Sequence, residues 1–202
     1  MEFQQIFKAM IPMNKCHFHN VVLLTMAFLF ASCLNCNALA ESADEHLIKA
    51  AMVRNFARFM EWPEKTITEM EEKDLQLCVM GDDTVEQTFR KVRGKKVGNH
   101  TIVLREIDTI GGLQGCNLLF VDVSAGTDLE ETLHTIQESP VLTIGETEEF
   151  TQAGGIITFF NESNRIRFQI NLKAAQKAGL KISSRLLQLA VVIGQSSREH
   201  DK

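Results

Sequence analysis

Residues whose type and spacing suit covalent or acid–base chemistry are few in this chain. A serine nucleophile on a sharp strand-to-helix turn needs Gly-x-Ser-x-Gly, and no serine stands in that frame. A phosphate-cradling loop needs Gly-x-x-x-x-Gly-Lys-Ser/Thr; Gly94-Lys95-Lys96-Val97-Gly98 has the glycines at the wrong spacing and reads as a turn. His46, His100, His134 and His200 are scattered, with no pair three or four residues apart, so spacing offers no zinc site. The carboxylate pairs Asp82-Asp83, Glu130-Glu131 and Glu148-Glu149 sit where helices begin, and the helix macrodipole explains them there. Asp122 follows an apolar run and would lie at the end of a strand, where α/β sheets place their sites, but one aspartate is weak evidence for catalysis. The expectation is a protein that is not an enzyme and uses no metal and no cofactor.

The cysteines say more, once the N-terminus is read. Val21 to Ala31 is an apolar run of eleven residues preceded by Lys8 and Lys15. A spanning helix needs about 20 residues, so this run fits a signal peptide, with Ala38-Leu39-Ala40 as its cleavage signal. Residues 1–40 are expected to be removed and 41–202 to form one exported domain. The competing site, Ala31-Ser32-Cys33, would make the protein a lipoprotein at Cys33. Cleavage after Ala40 removes Cys16, Cys33 and Cys36 and leaves Cys78 and Cys116. In an oxidising compartment that even pair is expected to form a disulfide of roughly 3–4 kcal/mol; the alternative is two buried free thiols. The trimmed chain has 19 basic and 25 acidic residues, a net charge of −6, which argues against a general nucleic-acid binder and against a polybasic membrane-surface protein.

Four arginines are candidates for partner binding. Arg54 and Arg58, four residues apart, share a helix face beside aromatic residues. Arg165 and Arg167 alternate along a strand and form a basic stripe, which can equally be protection of a sheet edge.

These residues have to be positioned by alternating helices and strands. Ala43 to Glu61 has helical periodicity, stopped by Trp62-Pro63, and the acidic run to Asp74 reads as a solvated connection. Strands are expected at 75–81, around 101–104 within 96–106, at 117–122 and at 140–144. Helices are expected at 85–92, from a Thr127 cap to about 138, and at 146–152 ending at Gly154-Gly155. A hairpin over 156–170 turns at Asn161-Glu162-Ser163-Asn164. Asn171 caps a helix closed by Gly179, and Ser183 or Ser184 starts a last one running through Ala190 to near Gly194. The expected fold class is α/β: a single-domain layered sandwich with a mostly parallel sheet, helices on both faces and an antiparallel edge hairpin.

Several blocks together resemble the YfiR family of periplasmic proteins. They are Asn55-Phe56-Ala57-Arg58-Phe59-Met60-Glu61-Trp62-Pro63, Leu77-Cys78-Val79-Met80-Gly81, Gly115-Cys116-Asn117-Leu118-Leu119-Phe120-Val121, Leu142-Thr143-Ile144 with Gly154-Gly155, and Arg167-Phe168-Gln169-Ile170-Asn171-Leu172 with the helix-rich segment after it. The resemblance implies a regulator that binds and represses the periplasmic sensor domain of an inner-membrane diguanylate cyclase, lowers cyclic di-GMP and restrains biofilm formation. It also implies that Cys78 and Cys116 are a family disulfide pair. The second pair of the founding type, near the Gly-Gly block, has no counterpart between Gly145 and Gly155. In that type an outer-membrane lipoprotein sequesters the repressor, and a homodimer is a further association to expect. The alternative reading is a periplasmic small-molecule-binding sensor with no cyclase partner. Trp62, Pro63, Gly154, Gly155 and Asn171 have structural explanations as helix stop, turn and cap, so the motif locates the fold more than the binding surface.

Overall fold

The computed structural model describes residues 45–69, 74–122 and 128–194. The expected signal peptide, Cys33, the Thr127 cap and His200 lie outside the described residues. Residues 45–57 form helix α1, whose buried stripe Ala50, Val53, Phe56 and Ala57 follows the helical period. The helix ends before Trp62-Pro63, because Met60–Glu61 (β1) leave it to pair antiparallel with Lys181–Ile182 (β9). The Phe59 carbonyl accepts from the Ser183 amide at 2.9 Å and extends this contact. After Pro63 the chain forms helix α2 (Glu64–Glu69) where a solvated connection was expected; Glu64 in its first turn suits the positive end of the dipole.

The main sheet is built from β2 (Asp74–Met80), β3 (Lys96–Val97), β4 (His100–Glu106), β5 (Leu118–Val121), β6 (Leu142–Gly145), β7 (Ile157–Glu162), β8 (Arg165–Asn171) and β10 (Val191–Ile193). Its order is β10-β8-β7-β6-β5-β2-β4-β3. Strands β4, β2, β5, β6 and β7 are parallel to one another, and β7–β8 and β3–β4 are antiparallel hairpins. The sequence showed 96–106 as one strand region; Gly98, at φ +59, turns it into the short β3–β4 hairpin. The other hairpin turns on two residues rather than four: Glu162 pairs with Arg165, and Ser163 and Asn164 take φ of 50° and 61°.

Alternate strand residues enter two apolar layers. Leu75, Leu77 and Val79 pack with Phe56, Val85, Phe89, Phe159 and Ala175, which come from α1, helix α3 (Asp83–Phe89), β7 and helix α6 (Leu172–Lys177). On the opposite side, Cys78 and Met80 pack with Leu133, Ile136 and Phe150 from helices α4 (Leu129–Ile136) and α5 (Glu148–Gln152). Helices therefore cover both faces, as expected for an α/β sheet whose central strands, β5 and β6, are buried at every residue. Helix caps follow local chemistry: Asp82, Asp128, Thr147 and Asn171 each accept from an amide in the first turn. Asp128 thus takes the capping role assigned to Thr127.

The C-terminal segment differs most from expectation. Helix α7 (Ser184–Leu187) is a single turn, and Val191–Ile193 then forms β10 beside β8. The β-branched run Val191-Val192-Ile193 favours an extended chain, and pairing with Gln169–Asn171 supplies its hydrogen bonds.

Candidate functional site

Cys78 and Cys116 are joined by a disulfide, with Cα atoms 5.8 Å apart. Cys78 lies in the middle of the sheet and Cys116 just before β5, after the tight turn Ile110–Leu113; both are buried. In the parallel register of β2 and β4, Cys78 is opposite Arg105. The Arg105 guanidinium consequently reaches across the bond: its Nη2 is 3.1 Å from Cys116 Sγ and 3.3 Å from Cys78 Sγ. The same nitrogen donates to the Gly112 carbonyl at 2.8 Å and the Gln114 carbonyl at 2.6 Å. Arg105 therefore pins the loop that carries Cys116 to the central sheet, and it makes no ion pair among the described residues. Asn117 fixes the other end of that loop, with its Oδ1 accepting from the Gln76 amide at 2.8 Å. Sequence reasoning missed Arg105, although a charge inside the apolar strand Thr101-Ile102-Val103-Leu104-Arg105 was the available signal. A cleft of about 520 Å³ opens beside Cys116, lined by Asp74, Gln76, Gln114 and Asn117 among others.

The candidate arginines fall on two separate surfaces. Arg54 donates from Nε and Nη2 to the Lys96 carbonyl at 3.3 and 3.2 Å, tying α1 to β3 at one edge of the sheet. Arg58 is exposed at the end of the same helix and lines a second cleft with Glu61, Trp62 and His100. Arg165 and Arg167 project from β8 near the opposite edge. Arg167 meets Glu162 at 3.1 Å, but both side chains are more than half exposed, so the pair is worth little. Among the described residues, strand β10 pairs with residues 169–171 of β8, and none pairs with the arginine-bearing half of that strand along its outer side.

A buried ion cluster that spacing did not reveal joins α1 to the end of β6. Lys49, 7% exposed, contacts Glu146 at 2.6 Å and Glu45 at 2.7 Å. Burial works against its charge, but the two carboxylates outweigh that and hold Lys49 above the ordinary lysine value. The hydrogen bond from Lys49 likewise holds Glu45 below the usual carboxylate range. Near the end of β4, Arg90 draws Glu106 down by hydrogen bonding, while burial and the charges of Glu106 and Asp108 push Glu86 up.

Other candidates are dispersed. Asp122 is half-buried after β5, beside Gly81. His46, His100 and His134 stand on three different elements, and no group of three metal-ligating side chains occurs among the described residues. The motif residues are structural where the chain shows them. Pro63 precedes α2, and Trp62 packs half-buried against the core. Gly154 takes φ +98°, and Gly155 lies against the Phe150 ring so closely that a Cβ there would overlap it. Asn171 Oδ1 accepts from the Ala174 amide at 3.1 Å. No helix among the described residues is long and apolar enough to cross a membrane.

Comparison with known proteins returned one family. The family model described as YfiR/HmsC-like (DUF4154) matches residues 46–191. No curated protein matches the chain. Among solved structures, a conserved domain protein from Vibrio cholerae is similar at 11% identity and a TM-score of 0.44, covering 64% of this chain and 58% of its own. An ABC domain in complex with L-Trp from Streptococcus pneumonia is similar at 11% identity and a TM-score of 0.46, covering 70% and 60%. The chain thus spans about three-fifths of the length of either protein. The family match begins in α1, takes in both cysteines and every strand through β9, and ends at the first residue of β10, so it describes the fold built above rather than a fragment of it. The chain belongs to the YfiR/HmsC-like family.

Proposed function

We propose that the protein binds the periplasmic sensor domain of an inner-membrane diguanylate cyclase and represses it, lowering cyclic di-GMP and restraining biofilm formation. The observation that carries this reading is the family match over residues 46–191. The arrangement of side chains agrees with it: the conspicuous polar groups form a staple, a buried ion cluster and two arginine-bearing surfaces. Arg165 and Arg167 on β8 offer charged contacts suited to carboxylates on a partner. Export by cleavage after Ala40, with 41–202 as the periplasmic domain, is part of the same proposal. So are sequestration by an outer-membrane lipoprotein and self-association as a homodimer.

The test is affinity capture with a carboxy-terminally tagged full chain expressed in its own host, followed by mass spectrometry of solubilised membranes. Recovery of a membrane protein with a cyclase domain is the expected result. Its absence, with the bait folded and periplasmic, overturns the repressor reading.

A further inference from the structure

The charge of this chain is distributed very unevenly. Between Gln87 and Arg105 there are six basic residues and no acidic one, so the rest of a chain of net charge −5 carries −11. Two of the six are engaged elsewhere: Arg90 meets Glu106 at 2.6 Å, and Arg105 lies on the disulfide. Lys91, Arg93, Lys95 and Lys96 are exposed on the turn after α3 and on β3, with no ion-pair partner among the described residues. The fold adds to them. Arg54 is bonded to the Lys96 carbonyl, and Arg58 shares a cleft wall with Gly98, Asn99 and His100. Glu61 is the acidic residue in that lining.

We propose that this corner, formed by the end of α1 and residues 91–100, is an electrostatic docking surface for an anionic phospholipid bilayer. Clusters of four or more lysines and arginines gain affinity from the negative surface potential of such membranes, about 1 kcal/mol for each charge near the surface. The cleft that Arg58 lines, about 510 Å³, is also lined by Met60, Leu75 and Val97. Trp62 stands on its wall, and its Nε1 is buried without a hydrogen-bond partner. A protein partner fits less well. Tight protein interfaces centre on buried apolar or aromatic anchors, and the exposed large apolar residues Leu47, Ile48, Leu189 and Val191 all lie outside this corner. Strand β3, two residues long, is also too short an edge for strand addition. The negative charge of the whole chain, which argued against a membrane-surface protein, conceals this local concentration.

The proposal is independent of any cyclase partner, and purified protein tests it. Co-sedimentation with phosphatidylcholine vesicles is compared with vesicles that also contain phosphatidylglycerol, at low and at physiological salt. Binding is expected only with phosphatidylglycerol, and is expected to weaken with salt as the Debye length shrinks to about 8 Å at ~0.15 M. The variant Arg93→Gln/Lys95→Gln/Lys96→Gln should lose about fivefold for each charge, roughly a hundredfold in all. Lys95→Arg/Lys96→Arg should retain binding. A thermal melt of each variant matching the parent establishes that the fold is intact. Equal binding to neutral vesicles, no binding to either, or an unaffected triple variant overturns the proposal. Retention on immobilised polyglutamate without vesicle binding would assign the corner to an acidic protein surface instead, and also overturns it.

Discussion

Replacing Cys78 and Cys116 together by Ala removes the covalent link between β2 and the loop before β5. The bond spans 38 residues of sequence. A loop of that length, released in the unfolded chain, costs ~4 kcal/mol of stability in the chain-entropy account. The native environment adds little to correct this figure. Both positions are buried, and Arg105 keeps the Gly112 and Gln114 carbonyls when the sulfurs are gone. At 2–4 °C for each kcal/mol in a domain of this size, the melting temperature should fall by about 8–16 °C. Urea denaturation of the oxidised parent, the reduced parent and the double variant measures the loss of stability, and thermal melts of the same three measure the shift. Reduced parent and double variant should lie close together, well below the oxidised protein. A double variant within about 1 kcal/mol of the oxidised parent would refute the reasoning, and would mean that packing in the layer around Met80, Leu119 and Val121 holds the loop without the bond.

Three further outcomes follow from named contacts. Lys49→Met should destabilise by roughly 1–3 kcal/mol, less than a fully buried pair because Glu45 and Glu146 keep 33% and 21% of their side-chain exposure. Glu45 titrates below its unfolded value of 4.5, so its share is complete above about pH 4.5 and is lost as the pH falls through the folded value; Lys49 titrates above 10.5, so its share is complete below about pH 10.5 and is lost as the pH rises through the folded value. The gap between parent and variant in urea midpoints should therefore be flat through neutral pH and shrink at both extremes; a gap that grows on acidification contradicts this. Gly155→Ala pushes a methyl into the Phe150 ring and should cost about 1–3 kcal/mol, read from the thermal midpoint. Ser163→Gly relieves a positive φ in the β7–β8 turn and should raise stability by about 0.5–1 kcal/mol in the same assay, with a fall in stability contradicting the turn geometry.

Much of the architecture was legible because local chemistry and global fold agree. Uniformly apolar runs such as Leu118–Val121 fit strands covered on both faces, and Asn171 suits the cap of a helix that starts at Leu172. The failures share a cause. Met60–Glu61 looks helical by period, and becomes a strand only because Lys181–Ile182, 120 residues later, offers a partner. Val191–Ile193 looked like the tail of a helix for the same reason: its pairing with β8 is invisible in one dimension. The site was less legible than the fold. Arg105 meets the disulfide through strand register, and Lys49 meets Glu146 across 97 residues, so neither contact has a spacing that sequence could reveal. The basic segment was readable, but a net charge taken over the whole chain averaged it away.

The central claim is repression of a diguanylate cyclase from the periplasm, and the cellular concentration of cyclic di-GMP tests it most directly. It should be measured in the host, in a strain lacking this gene, and in a strain lacking both this gene and the captured cyclase. The account predicts a rise on deleting the gene alone, abolished when the cyclase is also deleted and reversed by restoring the full chain. An unchanged concentration in the single deletion, or a rise that persists without the cyclase, would contradict it.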